Sequence, residues 1–228
     1  MEAIVLAGGF GTRLREVIPN LPKPMAPIAG RPFLEILLSM LARKGFTRVV
    51  LSLGYMSEKI TTHFGDSYGG MRLVYEAEKQ PLGTGGAIRA ALGQCISDHA
   101  FVFNGDTYLD LEVDVLERQW LLDHDPIIVV RSVPDTARFG RVEIREGRIT
   151  AFLEKGLSGP GLINAGCYIL PRNALDAFPL GQPFSIETDF FIKSLNRIRF
   201  GGFVTNGHFI DIGVPDDYVR AQTELVGL

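Results

Sequence analysis

The chain opens on a continuous apolar run, Ala3-Ile4-Val5-Leu6-Ala7, that stops at Gly8-Gly9-Phe10-Gly11-Thr12-Arg13-Leu14. A run without polar alternation reads as a strand buried on both faces, and such strands belong to parallel sheets covered by helices on each side. The glycines that follow let backbone N–H groups approach an anion, and Arg13 adds a planar charged fork that suits phosphate oxygens. The ligand expected at such a loop is a nucleotide. A dinucleotide fingerprint would need glycine where Leu14 stands and an acid ending the second strand, but that strand, Arg48 to Leu53, ends in Gly54-Tyr55. A P-loop would need Gly-Lys-Ser or Gly-Lys-Thr, and neither occurs.

Strand and helix patterns alternate after the loop. Gly30-Arg31-Pro32 opens a helix that closes at Lys44-Gly45, Ser57 starts a second helix reaching Phe64-Gly65, and Met71 to Tyr75 alternates as a third strand. This order predicts an α/β fold, a Rossmann-like, mostly parallel sheet with helices on both faces and ligands at the carboxyl ends of its strands. The 228 residues, 46% of them hydrophobic, suffice for one full core, so a single domain over 1–228 is expected. Beyond Asp123 the texture changes to strand-like runs punctuated by Gly and Pro: Pro126 to Val133, Arg141 to Arg145, Ile149 to Leu153 and Leu162 to Leu170. Arg145-Glu146-Gly147-Arg148 reads as a hairpin turn, and Ser185 to Leu195 as an amphipathic helix capped by Ser185.

Three further stretches carry chemistry. Ile18 to Pro27 holds four prolines and is expected to lie extended across the mouth of the site, with Lys23 aimed by Pro22 and Pro24; an ordinary solvated lysine is the plainer reading. Glu76 to Ala87 reads as a polar loop with three glycines, able to meet a base with its backbone or to be a plain turn capped by Thr84. Asn104-Gly105-Asp106 directly follows a fourth strand, Ala100 to Phe103, which puts a carboxylate where ligands bind. Asp106 is a hard oxygen donor of the kind that Mg²⁺ takes together with substrate phosphates.

Taken together, Gly8 to Leu14 and Pro22-Lys23-Pro24-Met25 resemble the signature of the sugar-phosphate nucleotidyltransferases, Gly-Gly-x-Gly-Thr-Arg-Leu followed by a Lys-Pro pair. The resemblance extends from Gly8 to Tyr218. It implies that residues 1–123 hold a nucleoside triphosphate and residues 124–228 a sugar 1-phosphate. In the first half it implies nucleotide contacts from Leu6, Ala7, Gly8, Gly9, Gly11, Thr12, Gln80, Gly85, Asn104 and Asp106, with Gln80 at the base edge and Arg13 and Lys23 as the catalytic cations. In the second half it implies acceptor contacts from Gly140, Glu154, Lys155, Asn164, Gly166 and Glu187. Asp106 and Asp211 would hold Mg²⁺. Val214 departs from the pattern, which usually has threonine there, without removing a ligand, and taken singly Glu154-Lys155 is an ordinary solvated pair.

The implied reaction needs no protein nucleophile, because the attacking phosphate oxygen is already ionised at neutral pH. Pro81-Leu82-Gly83-Thr84 is similar to the form seen in mannose-1-phosphate guanylyltransferases, and with Asn164-Ala165-Gly166-Cys167 in so short a chain it looks most like the D-glycero-α-D-manno-heptose 1-phosphate guanylyltransferases. GTP with a manno-configured heptose 1-phosphate is therefore the expected pair, and glucose 1-phosphate with UTP or dTTP is the runner-up. A nucleotide-binding regulatory module need not keep both aspartates and both lysines, and a cytidylyltransferase with a non-sugar acceptor would lack the segment around Glu154 and Asn164.

The net charge of −3 excludes a global basic field for nucleic acid. His63, His99, His124 and His208 lack metal-ligand spacing, so zinc is not expected. Cys95 and Cys167 lie in apolar segments, as reduced buried thiols do, and the densest later apolar run, Phe33 to Ala42, is broken by Glu35 and Ser39 well short of a membrane span. A cytoplasmic protein without a membrane partner is expected, and a homodimeric assembly is left open.

Overall fold

A computed structural model of the chain describes residues 1–9 and 21–228. In chain order the elements are β1 (Glu2–Ala7), β2 (Pro27–Ile28), β3 (Arg31–Pro32), α1 (Phe33–Arg43), β4 (Arg48–Leu53), α2 (Ser57–Phe64), β5 (Ser67–Tyr68) and β6 (Met71–Ala77). Then come α3 (Gly83–Gly93), β7 (His99–Asn104), β8 (Thr107–Leu109), α4 (Val113–Asp123), β9 (Ile127–Val133), β10 (Arg141–Arg145), β11 (Arg148–Leu153) and β12 (Gly161–Pro171). A π-helix (Ile186–Ile192), β13 (Gly201–Thr205), β14 (Phe209–Asp211) and α5 (Pro215–Glu224) complete the chain.

Ten strands form one sheet in the order β10-β11-β13-β9-β12-β7-β1-β4-β6-β5. Its run of four parallel strands, β7-β1-β4-β6, has β1 beside both β4 and β7, so the strand order reverses between β1 and β7. That reversal opens a crevice at the strands' carboxyl ends. The second half of the chain joins through β12, which runs antiparallel to both β7 and β9 and makes the whole sheet mixed.

The continuous apolar run of β1 is explained by its two burials. Ala3, Val5 and Ala7 pack on one face with Leu37 and Leu41 of α1, Ile60 of α2, Leu116 of α4 and Ala221 of α5. Ile4 packs on the other with Ile88 and Leu92 of α3 and with Phe190 and Phe191 of the π-helix. Helices thus cover both faces, as expected for this α/β class. Among the described residues no helix is long and apolar enough to cross a membrane.

Local structure departs from the sequence reading at three places. Residues 23–25 form a 3₁₀ turn rather than extended chain, closed by Met25 N–H donating to Pro22 O at 2.8 Å, because the φ that proline imposes suits a tight helical turn as well as an extended segment. Helix α3 begins at Gly83, inside the polar stretch read as a loop from Glu76 to Ala87, so that loop is shorter than expected. Its glycines serve close packing more than looseness: a Cβ on Gly85 would lie 2.2 Å from the Phe184 ring, and one on Gly86 would lie 2.7 Å from Gln182 O. The third place is the segment after Ser185, which is π-helical, though Ser185 does cap it, its Oγ accepting from Thr188 N–H at 3.3 Å. The hairpin turn forms as read, with Glu146 at φ 50° and Gly147 at φ 73°, the pair of left-handed residues that a type I′ turn requires.

The crevice floor is backbone on backbone. Gly105 N–H donates to Leu6 O at 2.9 Å, and a Cβ on Gly105 would stand 2.4 Å from that oxygen. Gly105→Ala should therefore lower stability by about 1–3 kcal/mol, the usual cost of overpacking. At Gly93, by contrast, a Cβ meets nothing within 4 Å, so Gly93→Ala should cost nothing and gain up to about 1 kcal/mol from helix propensity. Urea unfolding of both variants measures the contrast; equal stabilities would show that the floor can shift.

Candidate active site

The crevice is a cleft of about 520 Å³ whose wall is built from the ends of β1, β4, β6 and β7, the 3₁₀ turn and the start of α3. Leu6, Gly8 and Gly9 continue β1 into the cleft, and Asn104, Gly105 and Asp106 continue β7 beside them. Parallel pairing of Leu6 with Asn104 fixes that neighbourhood. Ala7 ends β1 but turns its side chain into the core. Gly11, Thr12 and Arg13 lie outside the described residues.

At one end the cleft gathers charge. Lys23, whose side chain is only 10% exposed, places Nζ 2.6 Å from Asp106 Oδ2. Asp211 is brought to the same place by a two-stranded ribbon, in which β14 pairs with β8 so that Asp211 stands opposite Thr107, and by Ile212 N–H donating to Asp106 O at 2.9 Å. Gly213 N–H holds Asp211 Oδ1 at 2.7 Å. Burial, and then the negative charge of Asp106, push the Asp211 carboxyl above its ordinary range, against the opposing pull of Lys23 and the Gly213 N–H. Two carboxylates placed together in a partly desolvated cleft could hold a cation. Among the described residues no group of three or more His, Cys, Asp or Glu side chains gathers, so such a cation would draw its other ligands from water and substrate oxygens, which is the manner of Mg²⁺.

The cleft wall also holds a residue that the sequence reading passed over. Glu78, just beyond β6, lines the cleft and accepts Leu82 N–H at 3.0 Å through Oε2. Its Oε1 lies so near the first loop glycine that a Cβ on Gly8 would approach it to 3.2 Å. Burial is the main cause pushing this carboxyl up, against the Leu82 N–H. The signal available in the sequence was position: an acid immediately after a strand that ends at the crevice, as with Asp106. Gln80 also lines the cleft, but it is exposed and its Nε2 donates to Gly181 O at 3.3 Å. Gly85 is not part of the wall; its N–H donates to Phe184 O at 2.9 Å and its Cα faces the Phe184 ring.

Residues expected on the acceptor side divide into two groups. Asn164, Gly166 and Glu187 come together at an irregularity in β12, where the register against β9 shifts between Asn164 and Tyr168. Asn164 Nδ2 donates to Glu187 Oε1 and, at 2.9 Å, to Tyr168 OH, while Asn164 Oδ1 accepts Gly166 N–H at 2.9 Å. Gly166, at φ 69°, fits so closely under Asn104 that a Cβ would be 2.3 Å from Asn104 Nδ2, so this group shares a wall with the cleft. Gly140, Glu154 and Lys155 form the second group. The Cα of Gly140 packs against Leu153 O, while Glu154 and Lys155 follow β11 on the surface, exposed and without a hydrogen bond or ion pair to another described residue. Their chain partners are nonetheless fixed: Thr136 N–H donates to Gly159 O at 3.0 Å and Gly156 N–H to Ala137 O at 3.1 Å.

This geometry can be set beside known proteins. The nucleotidyl transferase family matches residues 2–226. D-glycero-alpha-D-manno-heptose 1-phosphate guanylyltransferase of Aneurinibacillus thermoaerophilus is 42% identical over 226 residues, 99% of this chain and 98% of the relative. The protein of the same description from Campylobacter jejuni is 38% identical, over 96% of this chain and 97% of its own length. Among solved structures, HddC from Yersinia pseudotuberculosis complexed with GMP-PN superposes with a TM-score of 0.85 at 37% identity, covering 97% of each chain. The chain is therefore a member of the nucleotidyl transferase family.

Proposed function

We infer that this enzyme transfers a guanylyl group from GTP to D-glycero-α-D-manno-heptose 1-phosphate, as a single domain over residues 1–228 that takes nucleotide in its first half and acceptor in its second. The observation that carries the reading is the shared wall at Asn104 and Gly166, which sets a phosphate-type cleft with Lys23, Asp106 and Asp211 against a hydroxyl-binding group, Asn164 and Glu187. The heptose and guanine assignments are supported by the two heptose 1-phosphate guanylyltransferases matched over nearly their whole length. Guanine is supported independently by Glu78. An ionised carboxylate only accepts hydrogen bonds, and guanine presents two adjacent donors, N1–H and the exocyclic amine, where uracil and thymine present one donor between two carbonyls. This moves the base contact expected at Gln80 to Glu78. Buried free thiols and a triphosphate substrate support a cytoplasmic location.

In the reaction an acceptor phosphate oxygen forms a bond to the α-phosphorus, the bond from that phosphorus to the α–β bridging oxygen breaks, and pyrophosphate leaves with the electron pair. Gly8 and Gly9 offer backbone to the triphosphate, and Lys23 follows the charge at the α-phosphate. Lys155 holds the incoming phosphate, and Glu187, oriented by Asn164, takes acceptor hydroxyls. Asp106 and Asp211 would hold Mg²⁺, which when bound supplies neutralising charge for two substrates that otherwise repel. Arg13, Gly11 and Thr12 keep their proposed phosphate roles.

A competition assay offering equal GTP, UTP, CTP, ATP and dTTP with heptose, mannose and glucose 1-phosphates tests the substrate pair. GDP-heptose should dominate, and Glu78→Gln should lower the preference for GTP over UTP by about tenfold or more, the discrimination of one lost charged hydrogen-bonding partner. Dominance of any other nucleotide rejects the base assignment, and glucose outcompeting both manno-configured sugars rejects the acceptor.

The lysines should separate in steady-state kinetics. Lys155→Ala should raise KM for the sugar phosphate with kcat little changed, whereas Lys23→Ala should lower kcat by roughly a hundredfold, since only Lys23 is placed to meet charge that develops in the transition state. Equal effects of the two substitutions on both constants would refute this division.

Asp211→Asn should have opposite effects on activity and stability. Turnover with Mg²⁺ should fall by roughly a hundredfold or more, the scale of lost metal-supported charge stabilisation. Because the folded state raises the pKa of this carboxyl, its ionisation opposes folding: the stabilising contribution is full below the ordinary carboxylate range and is lost as pH rises through the raised value. Metal-free Asp211→Asn should therefore melt higher than the parent at pH 7, with the gain shrinking as pH falls toward 4. Thermal melts in EDTA at both pH values check the sign, and a lower melting temperature at pH 7 would contradict it.

A further inference from the structure

The base end and the acceptor end of the cleft are far apart in sequence, yet a short backbone splice joins them. Phe184 N–H donates to Leu82 O at 3.0 Å and Gly85 N–H donates to Phe184 O at 2.9 Å. Two residues further on, Ile186 N–H donates to the Thr84 hydroxyl at 3.0 Å. The contact is tight enough that a Cβ on Gly83 would stand 2.7 Å from Phe184 O. The Phe184 ring is stacked on Phe178 with centroids 4.1 Å apart and planes within 9°, which anchors the middle of the splice.

Each end of the splice leads to a carboxylate. Leu82 N–H holds Glu78 on the base side. On the acceptor side Ile186 is the first residue of the π-helix, and the next residue, Glu187, takes Asn164 Nδ2. The N–H groups of a helix's first turn have no partner within the helix, so the Thr84 hydroxyl supplies what the start of this π-helix lacks. Loss of that acceptor leaves Ile186 N–H unsatisfied and loosens the turn that carries Glu187.

Building on the nucleotidyl-transfer reading, we propose that Thr84 is a positioning residue that couples the two substrate sites: nucleotide held against Glu78 fixes the 82–85 segment, and Thr84 passes that order to Ile186 and Glu187. The cost of ordering the acceptor group is then met on nucleotide binding, and the sugar phosphate binds an already formed pocket. Coupling of this kind is reciprocal, so the sugar phosphate tightens nucleotide by the same factor.

The test is calorimetric titration of the full chain with D-glycero-α-D-manno-heptose 1-phosphate in Mg²⁺, with and without the non-reacting guanosine 5′-(α,β-methylene)triphosphate. In the parent protein the nucleotide should tighten the sugar phosphate by about fivefold or more, within the ordinary span of coupling between sites, and Thr84→Val should reduce that factor to below about twofold. Thr84→Ser, which keeps the hydroxyl, should retain the parent factor. Repulsion between the two anionic ligands is the same in all three proteins, so the difference isolates the hydroxyl. Thr84 is exposed, which makes valine tolerable for folding, and Thr84→Ala repeats the test without a β-branch. A parent-like factor in Thr84→Val or Thr84→Ala, or its loss in Thr84→Ser, overturns the proposal, as does a parent protein in which the two ligands bind independently. Failure of the parent to bind either ligand overturns the functional reading and this inference with it.

Discussion

The contact between the end of β1 and the two loops beside it sets everything else in the molecule. Where Gly105 meets Leu6 O, and where a Cβ on Gly54 would come within 2.5 Å of Gly8 O, three chain segments leave the sheet with no side chain between them. That closeness brings backbone from Gly8 and Gly9, the carboxylate of Asp106 and the carboxylate of Glu78 around one cleft. Larger residues at these positions would push these segments apart and widen the cleft between them.

The charge at the cleft is unfavourable for the protein alone. Asp211 is desolvated beside Asp106, and Lys23 neutralises only part of that burden through its 2.6 Å pair with Asp106. Elsewhere the chain treats buried charge differently. Glu2, 3% exposed, takes Arg48 Nε at 2.6 Å and the N–H groups of Ile96 and Ser97, so its oxygens are fully engaged. The contrast separates a structural carboxylate, satisfied by the fold itself, from a pair whose mutual repulsion the fold offsets only in part. Stability supplied by the two apolar layers on either side of β1 lets the fold tolerate that local deficit.

Much of this was legible in the sequence because it depends on local pattern. The unbroken apolar run of β1, the proline before α1, the Ser185 cap and the hairpin at Glu146-Gly147 each follow from chemistry within a few residues, and each formed as read. Asp106 was legible as an acid at a strand's end. What was not legible depends on partners distant in the chain. The early start of α3 requires Phe184, about a hundred residues away, to lie against Gly83 and Gly85, so glycines that look like loop residues become packing residues. The 3₁₀ turn at Lys23 hides behind prolines that permit two conformations. Glu78 drew no notice beside the more versatile amide of Gln80, and both line the cleft, Glu78 half-buried and Gln80 exposed.

The second half of the chain earns its place in the site through one irregular strand. A regular β12 paired antiparallel to both β7 and β9 would alternate its side chains between the two cores and present nothing special to the cleft. The register shift between Asn164 and Tyr168 breaks that alternation, as bulges beside active sites do. Gly166 takes a left-handed φ there, slides under Asn104 and leaves Asn164 free to turn its amide toward Glu187 and Tyr168. An alanine in place of Gly166 would be strained by its backbone and blocked by Asn104 at once, and any relief would push Asn164 and Glu187 away from the cleft. The bulge, more than any single polar contact, sets the Asn164 and Glu187 pair beside the wall that Asn104 gives to the cleft.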